Sequence, residues 1–411
     1  MTPAIEDLLR TEAPQVLGAL VRRFGRFDIA EDAVQEALLT AAQTWPNEGI
    51  PENPRSWLIR IAYRRMVDLL RADQARHRRE LHAGAAELAM AEPARAARTT
   101  DTDDSLTLLL LCCHPALGPT SQVALTLRAV GGLTTAEIAR AHGTTEATMG
   151  TRISRAKQQL AKAGARFTPP TEHDRDDRMA SVMRVLYLIF NEGYTATTGT
   201  ELARVDLTHE AIRLTRMLHA TLPDDAEVVG LLALMLLTEA RRDARTDAGQ
   251  LVPMEEQDRA RWDRALIDEG TALIDSVWQQ GEAGPYRIQA AIAAVHAAAA
   301  APDQTDWPQI AMLYLWLERL TPTAPVQLGR VVAVARAYGP ARGLALLDDL
   351  DRRHHLDRNP LTQQRERAVR AHLLMQSGET AAAAALFRQA ADMTSNEVEQ
   401  RYLRDKAGDL D

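Results

Sequence analysis

The sequence predicts an all-α protein, built as two small helical domains followed by a larger helical region. Hydrophobic residues make up 46% of the 411 residues, but aromatic residues make up only 4%. Alanine and leucine recur in long runs, whereas β-branched residues form few of the clusters that are typical of strands. Apolar residues also recur at helical spacing in several segments. A chain of this length is expected to form two or three domains, each with its own core.

The net charge of −8 limits how the chain could bind nucleic acid. An acidic molecule cannot coat DNA or RNA with its whole surface, so any contact has to come from local basic patches. The only cysteines are the neighbours Cys112 and Cys113, which are followed by His114. Three adjacent helical residues cannot converge on one ion, so we expect buried thiols and no disulfide, as in a reducing cytosol. No apolar run reaches 18 residues and no signal peptide is evident, which predicts a cytoplasmic protein.

The first predicted domain, residues 1–75, contains an amphipathic helix from Asp28 to Thr44. Its inward face is predicted to carry Ala30, Val34, Ala37, Leu38 and Ala41. Asp32, Gln35 and Glu36 fall on the opposite side as an exposed acidic strip. Such a strip is either an ordinary solvated face or a surface that binds a partner.

A second helix of this domain is predicted to begin at Asn53-Pro54, with Asn53 as N-cap and Pro54 in the first turn. One face carries Leu58, Ala62, Met66 and Leu69, and another carries Trp57, Arg60, Arg64 and Arg71. The segment from Arg55 to Arg79 has eight arginines against two acidic residues. A basic stripe with an aromatic ring suits single-stranded nucleic acid, because cations follow phosphates and rings stack on bases. Packing of Trp57 and Tyr63 inside the core is the alternative.

The loop before this helix, predicted over Trp45–Asn53, is rich in proline and glycine. It lies beside the basic stripe, where it could receive a base extruded from a duplex. A pocket beside an electropositive helix can offset the cost of extruding that base.

The second predicted domain, residues 104–164, ends in a helix-turn-helix pattern. Thr135 is predicted to cap a first helix that stops at Gly143, and Thr145 to cap a second helix. No acidic residue occurs from Ala147 to Ala165. The candidate DNA-contacting residues of the second helix are Thr145, Thr148, Thr151, Arg152, Arg155 and Lys157. Small side chains would let this helix approach base edges in a major groove, although a helical hairpin with a solvated basic face has the same pattern.

A linker is predicted over residues 76–103, and a third region, 177–411, follows the helix-breaking segment Phe167–Thr171. Near its end, Thr362–Gln376 and Thr380–Met393 form a helix pair typical of tetratricopeptide units, whose repeat is about 34 residues. A single pair cannot bury both of its faces, so several such pairs are expected before it, although no clean internal period accompanies them.

Three motifs closely resemble those of bacterial group IV, or extracytoplasmic-function, sigma factors. They are DIAEDAVQEALLTA, PRSWLIRIAYRRMVDLLR and LTTAEIARAHGTTEATMGTRISRAKQQL, in that order. The resemblance covers residues 5–164 and implies a sigma-2 domain over 5–75 and a sigma-4 domain over 104–164. The linker between them would thread through RNA polymerase. The implied function is promoter-specific transcription initiation, with promoter DNA and the β′ and β subunits of the polymerase core as partners.

The resemblance also implies roles for individual residues. Asp32, Gln35 and Glu36 would dock on the coiled coil of the polymerase β′ subunit. The loop 47–53 and the helix after it would open and read the −10 promoter element through Asn53, Arg55, Trp57, Arg60, Tyr63, Arg64 and Arg71. The helix that starts at Thr145 would read the −35 element through the six candidate residues named above. Gly150 stands where many relatives carry Lys, so contacts usually made there are not transferred.

The third region resembles that of a sigma-factor subfamily with a long tetratricopeptide-like C-terminal extension. This resemblance rests on the segment Arg184–Tyr194 together with Gly284–Tyr286, Ala290–His296 and the segment from Asp306 to Tyr314. It implies that the extension itself controls or supports activity without a dedicated anti-sigma factor. The residues assigned to an interdomain staple are Tyr187, Phe190, Asn191, Glu192 and Tyr194. A ligand pocket at this motif is the alternative. The segment Pro223–Glu282, with 14 acidic and 6 basic residues, could instead mimic DNA and cover the basic helix at rest.

Two other classes of protein compete with a sigma factor. A stand-alone helix-turn-helix regulator would need neither the acidic strip nor the basic stripe of the first domain. An enzyme is disfavoured, because the sequence has no Gly-rich phosphate loop, no HExxH metal motif and no activated-nucleophile motif. We therefore expect no catalytic residues, no cofactor and no metal.

Overall fold

The computed structural model describes residues 3–80, 104–142, 144–165, 167 and 172–410. Most of these residues lie in α-helices, which confirms the prediction of an all-α fold. The chain divides into two compact units, an N-terminal unit, Met1–Leu188, and a C-terminal unit, Ile189–Asp411. No helix among the described residues is both long and apolar enough to cross a bilayer.

The N-terminal unit begins with three helices, each of which packs on the other two. They are α1 (Pro3–Phe24), α2 (Phe27–Glu48) and α3 (Pro54–Glu80). The turn between α1 and α2 contains Gly25, whose φ of 68° is one that glycine adopts at little steric cost. α3 begins as predicted, because Asn53 Oδ1 accepts a hydrogen bond from the backbone N–H of Ser56 at 2.9 Å.

α2 is longer than the sequence indicated. It continues through Pro46 to Glu48, so the predicted loop Trp45–Asn53 is shortened to residues 49–53. Trp45 is only 2% exposed, and its indole packs against that of Trp57. Burial of this large ring holds an additional turn of helix that the proline-rich sequence did not predict.

Four shorter helices form the second half of the N-terminal unit. They are α4 (Ser105–Cys112), α5 (Pro119–Ala129), α6 (Thr135–Ala141) and α7 (Glu146–Lys162). α6 is capped by Thr134 rather than by the predicted Thr135: Thr134 Oγ1 accepts from Glu137 N at 3.2 Å, and Glu137 Oε2 accepts from Thr134 N at 2.7 Å. This reciprocal capping box fixes the first turn. Thr145 caps α7 as predicted, by accepting from Thr148 N at 3.2 Å, whereas Gly143 lies outside the described residues.

The two cysteines lie in the core of this unit, as predicted. Cys113 Sγ is 3.7 Å from Thr126 Oγ1, and burial raises the pKa of Cys113 to about 12. Burial also raises the pKa of Cys112. Both thiols are therefore neutral structural groups at physiological pH.

A long helix, α8 (Glu172–Tyr194), crosses the boundary between the two units. It begins before the predicted start of the third region at residue 177. Arg178 Nη2 donates to Leu110 O at 2.5 Å, so the first half of α8 is attached to α4. Of the predicted linker, residues 76–80 belong to α3 and residues 81–103 lie outside the described part of the chain.

The C-terminal unit continues with ten helices in its described residues. They are α9 (Val205–Thr221), α10 (Ala226–Glu239), α11 (Arg264–Val277), α12 (Pro285–Ala298), α13 (Trp307–Leu320), α14 (Ala324–Tyr338), α15 (Pro340–His354), α16 (Gln363–Gln376), α17 (Thr380–Met393) and α18 (Glu397–Gly408). Each packs on the next one along the chain. The predicted pair near the end is present as α16 and α17, and successive apolar clusters form its core and the cores of the helices before it.

Two very short strand pairs accompany these helices, and neither was predicted. β2 (Thr246–Asp247) and β3 (Gln250–Leu251) form an antiparallel hairpin between α10 and α11. β1 (Thr198–Gly199) pairs in parallel with β4 (Ser395–Asn396). Asn396 is buried and its Nδ2 donates to Ala196 O at 2.9 Å and to Glu201 O at 3.1 Å. These bonds join the beginning of the C-terminal unit to its end.

Candidate nucleic-acid interface

The two faces of α2 are separated as the sequence predicted. Every residue assigned to the inward face is buried, whereas Asp32 and Glu36 are exposed and Gln35 is half-buried. Glu36 Oε1 accepts from Arg65 Nη2 on α3 at 2.8 Å. The predicted acidic strip is therefore present on the surface of α2, and its role as a docking site stays a prediction.

The basic face of α3 is also present. Arg60, Arg64 and Arg71 are exposed, while Leu58, Ala62 and Met66 on the other side are buried. Leu69, which was predicted to share that side, is half-buried. Arg55 differs from the other arginines, because its Nε donates to Glu12 Oε2 on α1 at 2.6 Å. The arginine face thus starts at Arg60, about two helical turns after the loop 49–53.

Trp57 and Tyr63 have different surroundings. Trp57 is half-buried and makes an edge-to-face contact with Trp45, with ring centroids 5.5 Å apart. Tyr63 is only 9% exposed, and its ring lies 5.5 Å from that of Phe24 and beneath the guanidinium of Arg23. In this structure the Tyr63 ring packs in the core, as the alternative interpretation held, and cannot reach a base. Trp57 retains an accessible edge beside the loop.

The N-terminal half of α7 presents the predicted DNA-contacting residues. Thr145, Thr148, Thr151 and Arg155 are exposed, and Arg152 is half-buried. The opposite face is buried through Met149, Ile153, Ala156 and Leu160. A Cβ added at Gly150 would meet only Thr135 Cγ2, at 3.9 Å. Packing therefore does not require glycine at this position, and its small size leaves the helix backbone open to approach.

Lys157 does not share the exposed face of α7 with these residues. Its side chain is 10% exposed, and its Nζ lies 2.6 Å from Asp32 Oδ1 and 3.0 Å from Glu31 Oε2, with Asp28 O at 3.3 Å. These carboxylates outweigh the effect of burial and raise the pKa of Lys157. The prediction that Lys157 reaches DNA beside Arg155 is not met in this structure, because its ammonium is held against α2.

Glu31 is a functional candidate that the sequence did not single out. Its carboxylate is almost fully buried and also accepts from Arg128 Nε at 2.8 Å. Burial raises the pKa of Glu31, but Lys157 and Arg128 outweigh it and bring this pKa below its usual value. The available signal was its position on the inward face between Ala30 and Val34, where a carboxylate needs a cationic partner.

The motif at the end of α8 makes local contacts within the C-terminal unit. Phe190 is buried and stacks on Tyr194 at a centroid distance of 5.9 Å. Glu192 Oε1 accepts from Thr197 N at 3.0 Å, and Arg245 lies 3.6 Å above the Tyr194 ring. Asn191 is exposed and Tyr187 is half-buried. These contacts show a staple inside the C-terminal unit, and the role assigned to these residues between domains stays a prediction.

Several carboxylates of the acidic segment 223–282 serve the fold. Asp225, Asp258 and Asp263 cap helices by accepting backbone N–H groups. Glu227 accepts from Tyr286 N at 2.9 Å, and Glu239 pairs with Arg242 at 2.8 Å. Pairing with arginine offsets the charge of Glu239, but the capping carboxylates stay negative, so mimicry of DNA by this segment stays a prediction. Among the described residues, no cluster of three His, Cys, Asp or Glu side chains could hold a metal ion.

Comparison with known proteins matches three segments of the chain to families. Sigma-70 region 2 matches residues 8–76, sigma-70 region 4 matches 107–160, and a family of unknown function, DUF6596, matches 178–278. An uncharacterized protein of Rhizobium meliloti (strain 1021) is 41% identical over 414 residues, which cover 97% of this chain and 94% of that protein. The extracytoplasmic-function RNA polymerase sigma factor SigK of Mycobacterium ulcerans (strain Agy99) is 29% identical over 147 residues, 36% of this chain and 78% of SigK. No solved structure matches the chain.

Proposed function

The chain belongs to the extracytoplasmic-function group of sigma-70 family RNA polymerase sigma factors and carries a C-terminal helical extension. We propose the following roles for its parts in transcription initiation. The acidic strip on α2 docks on the β′ subunit of the polymerase core. α3 and the loop before it open and read the −10 element, and α7 reads the −35 element. The polymerase core supplies the chemistry, and the sigma factor supplies recognition.

The observation that carries this assignment is the pair of exposed basic helix faces inside two family matches that follow in the order of regions 2 and 4. Arg60, Arg64 and Arg71 line the exposed face of α3, and Trp57 lies at its start beside the loop. Cations on such a face follow the phosphates of a separated strand, while the edge of an indole can wedge against an extruded base.

The N-terminal half of α7 has the composition of a major-groove reading helix. Thr148 and Thr151 are exposed there and Arg152 is half-buried, and Gly150 gives the backbone close access to base edges. Docking by the N-terminal residues of the second helix is the usual geometry of a helix-turn-helix. We assign Arg152 and Arg155 to the contacts that set affinity and register on the −35 element.

The C-terminal extension is proposed to control or support this activity in place of a separate anti-sigma factor. Support comes from its independent cores and from the closure of the unit by Asn396, which makes it a stable body rather than a tail. We place the action of the protein in the cytoplasm, where the polymerase core is found.

Binding to purified polymerase core at low salt tests the assignment directly. We expect the full-length protein to form a complex with core and to confer promoter-specific transcription on it. A stand-alone regulator would bind duplex DNA but leave core unbound, and that result would overturn the proposal.

The role of the extension is tested by transcription with truncated proteins. Truncation at residue 168 removes all of α8, including the Arg178 bond to α4. A second truncation at residue 188 keeps that bond and removes only the C-terminal unit. A change in transcript yield shared by both truncations assigns control to the C-terminal unit, whereas equal yields from all three proteins would contradict it.

A further inference from the structure

The face of α2 that the proposed function assigns to polymerase is partly occupied within the N-terminal unit. Asp32 Oδ1 accepts from Lys157 Nζ on α7, and Gln35 Nε2 donates to Arg128 O at the end of α5, at 3.4 Å. Glu36 alone of the three predicted docking residues contacts its own domain instead, through Arg65. The sigma-4 domain therefore contacts two of the three positions, although Asp32 stays partly exposed.

The centre of this contact is a buried group of charges. Glu31 receives Lys157 on one carboxylate oxygen and Arg128 on the other, at 3.0 Å and 2.8 Å. The Glu31 and Lys157 side chains are 2% and 10% exposed, so both are removed from water only while α2 and α7 are in contact. A buried pair of this kind sets the register of two surfaces, and removal of one partner leaves the other buried without compensation.

Contacts further along α1 hold the same arrangement. Arg10 Nη2 lies 3.4 Å from Glu137 Oε1 on α6, and Gln15 Nε2 donates to Ser105 Oγ at 3.2 Å. Arg22 pairs with Asp104. The sigma-4 domain is thus attached to the sigma-2 domain at several separate points, and the contacts that lie on the docking helix α2 are those of Lys157 and Arg128.

We propose that α2 carries one interaction surface with two mutually exclusive occupants, the C-terminal half of α7 in the free protein and the polymerase core in the complex, and that Lys157 holds the first of them. This inference rests on the proposed function, because it takes the acidic strip as the core-binding surface. α7 then competes with the polymerase core for the surface of α2, and it does so through its C-terminal half rather than through its DNA-contacting residues.

This competition has a measurable consequence for affinity. If only a fraction of the free protein exposes the α2 surface, the apparent dissociation constant for core is increased by the inverse of that fraction. A substitution that weakens the contact between α2 and α7 should therefore tighten binding to core, even though it removes a charged side chain from the protein.

The test is the affinity of full-length variants for polymerase core. Lys157→Met removes the ammonium and keeps an apolar stem of similar length, and we expect it to bind core at least about fivefold more tightly than the wild type. Lys162→Met is the matched control, because Lys162 is an exposed cation near the end of the same helix. We expect its affinity to equal that of the wild type.

A second variant guards against misfolding and tests the contact from its other side. Glu31→Gln should also tighten core binding, and Glu31→Gln combined with Lys157→Met should add little to either change, since both act on one contact. Thermal unfolding of each variant identifies any protein that has lost the fold. If Lys157→Met does not fold, the core affinity of Glu31→Gln tests the proposal.

The outcomes separate the two proposals. Unchanged or weaker core binding by folded Lys157→Met and Glu31→Gln proteins, while the wild type still binds core, would overturn the shared surface and leave the sigma-factor assignment intact. Absence of core binding by every protein, including the wild type, would overturn the proposed function and this inference with it.

Discussion

Arg152 and Arg155 lie at or near the surface of α7, whereas Lys157 on the same helix is turned towards α2. They lie one helical turn apart, and neither forms an ion pair with another residue in the described part of the chain. An exposed arginine keeps its flexible guanidinium hydrated, so its positive charge remains available to a phosphate or a guanine edge. Position along α7 therefore decides whether a cation is available to DNA, as for Arg152 and Arg155, or is held against α2, as for Lys157.

We expect Arg152→Ala and Arg155→Ala each to weaken binding of the polymerase complex to a duplex that contains the −35 element. Each lost phosphate contact should reduce the slope of log K against log salt by about 1. Equilibrium binding over a salt series measures both quantities, with Lys162→Ala as the control. An unchanged slope would remove that arginine from the DNA contacts.

Trp57 is expected to act after initial binding. Trp57→Ala should slow open-complex formation more than it weakens promoter binding, because the exposed edge of the indole is placed to stabilise a separated strand. Stopped-flow fluorescence from a base analogue in the −10 element measures opening, and Trp57→Phe should restore part of the rate. Equal loss of binding and opening, or early thermal unfolding, would instead assign Trp57 to the core together with Trp45.

The buried thiols predict a pH dependence of stability. Native Cys113 has a pKa of about 12, raised by burial, whereas the thiol of an unfolded chain ionises near pH 9. The unfolded state therefore loses protons first, and the free energy of unfolding should fall as the pH rises above about 9. Native Cys112 and Cys113 should also resist a thiol reagent at pH 8 and react in denaturant; rapid reaction of the folded protein would contradict their burial.

At the scale of elements, α2, α3 and α7 could be predicted with their faces because each is amphipathic by itself. The sequence indicated which residues of α2 point inward and that Thr145 caps α7, and the structure confirms both. It did not indicate the contact between α2 and α7, since Glu31 and Lys157 are 126 residues apart and pair only after two domains meet. The burial of Lys157 follows from that tertiary contact and from no local pattern.

The short strands were missed for a related reason. β1 and β4 have two residues each, too few for an alternating pattern, and almost the whole C-terminal unit separates them in sequence. Tyr63 was left undecided, because an aromatic residue beside a basic stripe has the same spacing whether it stacks on a base or on Phe24. Packing partners from other helices decide such positions.

The Asn396 side chain contributes to closure of the C-terminal unit, together with the pairing of β1 and β4. Asn396→Ala removes two bonds from Nδ2 to backbone carbonyls and the cap that Oδ1 provides to α18. We expect it to lower the free energy of unfolding by about 2–4 kcal/mol. Chemical denaturation measures the loss, and Asn359→Ala, which removes a single exposed bond from Leu361 N to Oδ1, should cost less, about 0.5–1 kcal/mol. Equal effects would show that the junction adds no stability.

At the scale of the whole molecule, the two units have separate tasks in this account. The N-terminal unit contains all of the proposed polymerase and DNA contacts, and the C-terminal unit contains a closed set of helices with its own cores. Their acidic and basic residues are also used differently, since several carboxylates of segment 223–282 cap helices or pair with arginines, whereas Arg60, Arg64 and Arg71 on α3 are exposed. The net charge of −8 is thus compatible with a protein that binds DNA through local surfaces.

The central claim is that this chain directs polymerase core to promoters, and transcription from a promoter template with purified core tests it most directly. We expect a discrete transcript that requires both core and this protein and that is lost when Arg152 and Arg155 are both replaced by alanine. Absence of any start site with a core that is active with another sigma factor, together with tight binding of this protein alone to duplex DNA, would contradict it.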